Sequence, residues 1–260
     1  MVASAWHDFA AEIARWRDSG RVVEFWWRDD DASRPNAALS RLYALASRSN
    51  VPLALAAIPE IAESAAFEGL PAHSAVIQHG TDHLNRAALG EKKTEFSAFE
   101  PAQSSVERLL MARTKLEKVT NGRLLPVLAP PWNRVPPLLV RRLSAAGYQG
   151  VSAFGVTKIT KAGPGLIQVN THIDIIDWKG SRGFCGVAQA LGQAIRHLAA
   201  RREGRVDATE PTGWLTHHAV HDDACWEFLE CLFQTTRDKE GVLWRSPASL
   251  FATGSARSNA

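Results

Sequence analysis

The sequence predicts an α/β fold: a barrel of parallel strands ringed by helices, with its functional site at the C-terminal ends of the strands. Three observations carry this expectation. Apolar, strand-like runs alternate with helical patterns along the chain, which implies βα units and a parallel sheet buried on both faces. Polar clusters stand at or just past the ends of several runs: "RDDD" at 28–31, "HGTDH" at 79–83, "PPWNR" at 130–134, "DIIDW" at 174–178 and "THH" at 216–218. A parallel barrel gathers such strand ends on the one face that carries its site. Finally, no G-x-G-x-x-G or G-x-x-x-x-G-K-[ST] segment follows a strand, so an open, doubly wound nucleotide-binding sheet loses support.

The elements follow in order. Ser4 suits a helix cap, Trp6, Phe9, Ile13 and Trp16 recur at helical spacing, and Gly20 suits the helix end. "VVEFWW" at 22–27 reads as the first buried strand, and further strands are expected at 52–58, 74–79, 125–129, 150–154, 166–171 and 213–217. Helical patterns cover 36–49, 101–120, 135–146, 183–202 and 221–236, with a short one near 60–67. Pro136 suits a first helical turn, and Gly122 and Gly147 suit helix ends. The polar stretch 84–100 reads as a loop over one face. No internal repeat or low-complexity linker divides the chain, so residues 1–252 are expected to form one domain and 253–260 a disordered tail.

Composition narrows the function. Of 260 residues, 45% are hydrophobic and 22% charged, with a net charge of +3, as in an ordinary soluble chain able to bury a sizeable core. No aromatic-interleaved basic stripe is present, which argues against nucleic-acid binding. Cys185, Cys225 and Cys231 form no C-x-x-C pair and read as packing residues rather than a disulfide framework. The N-terminus interleaves charge with apolar residues, unlike a signal peptide, and no run approaches the ~18 apolar residues of a membrane span. A cytoplasmic location follows as the expectation. The nine tryptophans can include platforms for a flat ligand. Oligomeric state leaves no signal.

Each polar cluster has a plain reading by itself. Three acids in a row suit a solvated turn or a helix N-cap, and His79 and His83 suit two unrelated surface imidazoles. Together they offer a carboxylate and two imidazoles, the donor mix of a mononuclear catalytic metal site with open positions. Hydrolysis further needs a base for the water proton, donors for an oxyanion and an acid for the leaving group. A second Asp beside the ligand Asp can be the base. His217 or His218 can be the acid, and an Asp of "DIIDW" can orient it. The backbone N–H of Trp132, after the Pro-Pro pair, can face the oxyanion.

The order and spacing of these clusters resemble the polysaccharide deacetylase family, the NodB-homology domain of carbohydrate esterase family four. Its ordered motifs T-F-D-D-G, H-[ST]-x-x-H, R-x-P-Y, D-x-x-D-W and L-x-H read here as Arg28-Asp29-Asp30-Asp31-Ala32, His79-Gly80-Thr81-Asp82-His83, Ala129-Pro130-Pro131-Trp132, Asp174-Ile175-Ile176-Asp177-Trp178 and Leu215-Thr216-His217. The resemblance implies a distorted seven-stranded (β/α) barrel of TIM-barrel type, in agreement with the strand count. It implies Asp30 as general base, Asp31, His79 and His83 as ligands of one divalent metal ion, zinc by preference with cobalt or another divalent ion able to substitute, His217 as general acid and Asp177 as its orienting partner. Trp132 takes the Tyr position, whose backbone N–H serves the oxyanion. Pro131, Asn133, Arg134 and Trp178 are candidate substrate contacts; Asn133 equally suits a turn and Trp178 the core. The implied activity is metal-dependent removal of an N-acetyl group from a carbohydrate or glycan precursor. The alternatives are a catalytically altered carbohydrate-binding barrel, or a deacylase of an O-acetyl ester or a small non-sugar amide.

The chain departs from that pattern at definite places. The third aspartate leaves the register open, since Asp29-Asp30 can also be the pair. Strand alternation would turn Asp29 and Asp31 to one face and Asp30 to the other, unless the strand has ended. Gly80 replaces the motif Ser or Thr. Ala129 replaces the Arg that tethers the base, a role open to Arg28 or Arg134, either of which also suits a surface ion pair. Asp82 is expected to be a supporting or solvent-facing acid.

Overall fold

Continuous burial along a strand requires cover on both faces, and the first strand, β1 (Val23–Ala32), has it. In the computed structural model, which describes residues 2–156 and 165–252, almost all of β1 is buried. It is central to one parallel sheet with β2 (Ala54–Ala57), β3 (Ala75–His79), β4 (Leu124–Ala129), β5 (Gly150–Val151), β6 (Ile167–Gln168), β7 (Ile173–Asp174), β8 (Thr212–Thr216) and β9 (Val242–Trp244). The strand order is β6-β5-β4-β3-β2-β1-β8-β7, with β9 also paired to β1. Every ladder is parallel, and among the described residues no ladder joins β6 to β7, so the sheet is a curled, open barrel. The α/β barrel expected from the sequence is present, with nine strands among the described residues rather than the seven expected. The added pair, β7 and β9, is two and three residues long, too short to leave a periodic signal. The expected tail, 253–260, lies outside the described residues.

Among the described residues, seven α-helices flank the strands: α1 (Val2–Asp18), α2 (Ala37–Ser49), α3 (Ala102–Val119), α4 (Pro137–Leu143), α5 (Val187–Arg202), α6 (Asp223–Thr236) and α7 (Pro247–Leu250). Their starts follow local chemistry. Asn36 caps α2 by accepting from the Leu39 N–H at 2.8 Å, and Asp222 caps α6 by accepting from the Cys225 N–H at 2.8 Å. Ser4 is not the cap of α1; it lies inside the helix. None of the helices is long and apolar enough to cross a membrane.

Residue parity sorts the core into layers. Val23, Phe25 and Trp27 pack outward with helix residues such as Phe9, Trp16, Leu42 and Phe233. Trp26 points the other way, into the curl of the sheet, with Ala54, Ala56, Ile77 and Ala129. This inner layer is tight. Trp26 Nε1 donates to the Asn170 carbonyl at 3.0 Å, directly over Gly213 of β8. A Cβ at Gly213 would lie 2.7 Å from that carbonyl oxygen and 2.3 Å from Trp26 Nε1. Gly213→Ala is therefore expected to cost about 1–3 kcal/mol, the range for overpacking a filled core; an unchanged denaturant midpoint would refute the close approach.

Candidate metal centre

The parity of β1 continues into "RDDD" and decides its roles. Arg28 and Asp30 share the inward side with Trp26. Asp29 points outward, where it accepts from the Thr216 hydroxyl at 2.6 Å and the His218 N–H at 3.0 Å, and pairs with His218 Nδ1. Simple alternation would return Asp31 to the side of Asp29. It does not, because the β1–β2 register shifts between Asp29 and Ala32 and Asp31 adopts a left-handed φ of 71°. A bulge of this kind re-aims one side chain. Asp30 and Asp31 thus both serve the inner face, which corrects the expectation that Asp29 and Asp31 share one face.

The end of β3 supplies the imidazoles. Asp31 Oδ1 lies 3.1 Å from His79 Nε2 and 3.3 Å from His83 Nε2. Among the described residues these three form the group able to hold a metal ion. His79 Nδ1 faces the Ala129 carbonyl at 3.0 Å. A proton on Nδ1 leaves the Nε2 lone pair aimed at an anionic oxygen, an arrangement that calls for a cation or a proton between them. Asp31 Oδ1 is itself buried with no hydrogen-bond partner among the described residues. The separations also suit a tetrahedral ion, whose ligand atoms stand ~3.3 Å apart for bonds of ~2.0–2.1 Å. The residues fit a small divalent cation.

The local electrostatics agree with a cation-seeking site. Burial opposes ionisation of Asp31, but His79, His217 and His83 outweigh it and hold the carboxyl well below the usual carboxylate range. Burial pulls the His79 imidazolium down, yet Asp30 and Asp31 push it above the ordinary histidine value. His83 is depressed by burial and by the neighbouring His79.

Beside this group sits a tethered acid. Arg28, fully buried, places Nε 2.9 Å from Asp30 Oδ1 and Nη2 3.0 Å from Asp30 Oδ2. Its Nη1 donates to the Ser152 carbonyl and hydroxyl at 2.8 and 2.7 Å, and its Nη2 to Asn133 Oδ1 at 2.6 Å. Of the two arginines considered for a partner of Asp30, Arg28 is therefore the one that meets it. Arg134 does not reach it, donating instead to the Lys93 carbonyl at 2.7 Å. On the other flank, His217 Nε2 lies 4.0 Å from Asp30 Oδ2.

The two acids of "DIIDW", of which Asp177 was the expected orienting partner of His217, have different surroundings. The Asp177 carboxylate is taken up by the amides of Gly180 at 3.0 Å and Ser181 at 3.2 Å, in the turn after β7. Asp174 makes no direct hydrogen bond to His217 among the described residues; it reaches that side chain through Trp178. It accepts from Trp178 Nε1 at 2.8 Å, and the Trp178 ring meets His217 edge-on at 4.7 Å between centroids. Asp174 stands at the strand end, whereas Asp177 lies three residues into the loop. Burial raises the Asp174 carboxyl, against the charge of His217.

Other predicted residues surround this core. Trp132, at a left-handed φ of 53°, lays its ring 4.5 Å from that of His83. The hydrogen bonds of its turn run from Asn133 to Pro130 and from Arg134 to Pro131. Pro131 is buried against Gly80. Asn133 and Arg134 border a cavity also lined by Val140, Val151, Phe154 and Gln168. Trp178 is 39% exposed, a rim residue rather than a core one. Asp82 turns away to Arg86, at 2.6 Å, which holds its carboxyl at about 2. Sequence reasoning missed Glu95, wholly buried under the 80–83 turn; an acid in a polar stretch carries no sign of burial.

No protein-family model and no curated protein matches the sequence. Solved structures match the fold. A protein of Mycobacterium smegmatis designated a polysaccharide deacetylase is 13% identical, over 89% of this chain and 90% of that one, with a TM-score of 0.60. One of Pseudomonas aeruginosa PAO1, likewise designated, is 16% identical over 90% and 91%, with a TM-score of 0.57. A mutant of BA3943, a pseudoenzyme of carbohydrate esterase family four with restored enzymatic activity, is 14% identical over 89% and 68%, with a TM-score of 0.55. The fold is that of the polysaccharide deacetylases. Because this fold houses active and inactive proteins, function rests on the site.

Proposed function

We propose that the protein is a metal-dependent hydrolase that removes an N-acetyl group from an amino-sugar-containing carbohydrate. The observation that carries this reading is the convergence of Asp31, His79 and His83 beside an Arg28-tethered Asp30, with His217 on the opposite flank. The buried Arg28–Asp30 pair supports this reading over a binding barrel that has lost catalysis, which a missing tether would favour.

Asp31, His79 and His83 would hold the ion, with zinc the preferred one. Once bound, a divalent ion supplies Lewis acidity towards the acyl carbonyl and lowers the pKa of coordinated water to about 7. The protein's residues do the rest. Asp30, held by the Arg28 guanidinium, takes the proton of the attacking water. The Trp132 N–H donates to the developing oxyanion. His217 gives a proton to the leaving amine. Trp178, itself held by Asp174, keeps the imidazole in place edge-on, and its half-exposed ring offers a rim against which a sugar ring can pack.

The test is an acetate-release screen over N-acetyl sugars, oligosaccharides and nucleotide sugars, with matched O-acetyl sugars, run alongside metal analysis. Asp31→Asn and His79→Ala are each expected to lose bound metal and to lower release about 100-fold or more. Undiminished release by both variants would sink the reading. Faster turnover of the O-acetyl compounds would move it to an ester.

A further inference from the structure

The turn that carries the two imidazoles is built around a carboxylate from elsewhere in the chain. Glu95, on the connection between β3 and α3, is fully buried. Its Oε1 accepts from the Thr81 N–H at 2.7 Å and from the Thr81 hydroxyl, and its Oε2 accepts from the His83 N–H at 3.1 Å. Two residues of the turn have left-handed backbones, Gly80 at φ 62° and His83 at φ 59°. Glycine takes this conformation freely, but for a bulky residue such as His83 it is strained. The turn persists because its amides converge on an anion, as in other backbone nests. Gly80 has a further constraint: a Cβ there would lie 2.2 Å from Glu95 Oε2 and 2.6 Å from Pro131 Cγ.

We infer that Glu95 is a positioning residue for the imidazoles, fixing His83 against Asp31, and that Gly80 is required because the Glu95 carboxylate fills the space beside it. The inference rests on the metal-centre reading, though not on the identity of the substrate. Three acceptor contacts on one turn hold the strained backbone of His83; without them that residue relaxes to a negative φ and carries its ring away from Asp31.

Glu95→Gln tests this at constant size. The amide offers one acceptor oxygen where the carboxylate has two, so its NH2 group must face the amide donor of either Thr81 or His83. Zn2+ and Co2+ affinity, measured by competition without substrate, is expected to fall about 10- to 100-fold, with a changed visible spectrum for Co2+ and a metal-free melting temperature within a few degrees of wild type. Thr81→Val, which removes one of the three contacts, is expected to lose less. Gly80→Ala, which presses on the same carboxylate from the other side, should reproduce the Glu95→Gln loss and serves if that variant does not fold. Unchanged affinity in Glu95→Gln or, if that variant does not fold, in Gly80→Ala overturns the inference alone. So does a lowered melting temperature with affinity intact, which would make Glu95 merely structural. Failure of the wild-type protein to bind either ion overturns both the inference and the metal-centre reading, while binding without acetate release leaves the inference standing.

Discussion

Arg28→Met is expected to lower kcat by about 10^2- to 10^4-fold, the usual contribution of a positioned general base, while metal binding stays within a few-fold of wild type. The guanidinium contacts Asp30, Ser152 and Asn133 and none of the metal-binding candidates. Methionine fills part of the volume but leaves a buried carboxylate without a counter-ion, a change that costs about 3–5 kcal/mol in buried pairs. Arg28→Lys restores the charge but not the fork. One ammonium cannot span Asp30 on one side and Ser152 and Asn133 on the other, so kcat should recover only partly. Steady-state kinetics, metal content and melting temperature separate these effects. Wild-type kcat in Arg28→Met would show that Asp30 is not the base, or needs no tether.

His218→Ala is expected to lose about 3–5 kcal/mol of stability, or to lower the melting temperature by about 10 °C. Asp29 is completely buried on the outer face of β1, and His218 and Thr216 are its partners. The Thr216 hydroxyl also accepts from Trp27 Nε1 at 2.8 Å, so the pair anchors β1 to β8 directly behind Asp30 and His217. Burial pushes the Asp29 carboxyl up, but His218 outweighs it and holds it below 3.8; burial pulls His218 down, but Asp29 holds it above 6.5. The carboxylate's contribution is present above about pH 3.8 and is lost as pH falls through its lowered folded value. The imidazolium's contribution is complete below about pH 6.5 and is lost as pH rises through its raised folded value. The stability difference between wild type and His218→Ala should therefore be widest between those two pH values. A difference that does not vary with pH would mean the pair carries no charge.

How much of the site was legible depends on how local each signal is. His79 and His83 stand in one short motif at the end of one strand, and their meeting needed only the turn. Asp31 was ambiguous because strand alternation predicts the wrong face for it; the register shift and its left-handed φ arise from how β1 meets β2, which no window of β1 records. Asp177 was favoured over Asp174, yet turn amides capture Asp177, and the loop geometry that brings them there comes from packing. Arg28 was one of two candidate tethers, and only the fold shows that it, within β1, reaches Asp30 while Arg134 does not. Glu95 had no signal at all.

From the sequence by itself follow the α/β class, the order of the main strands and helices, and the gathering of polar clusters at strand ends. All of these rest on periodicity and turn chemistry, which act over a few residues at a time. The tertiary structure alone decided which acids of "RDDD" face inward, which arginine pairs with Asp30, which acid of "DIIDW" bonds to Trp178 and what holds the turn at His83. Those choices are made only in the packed fold, where a side chain's partners are set by register and burial, not by its position in the chain alone.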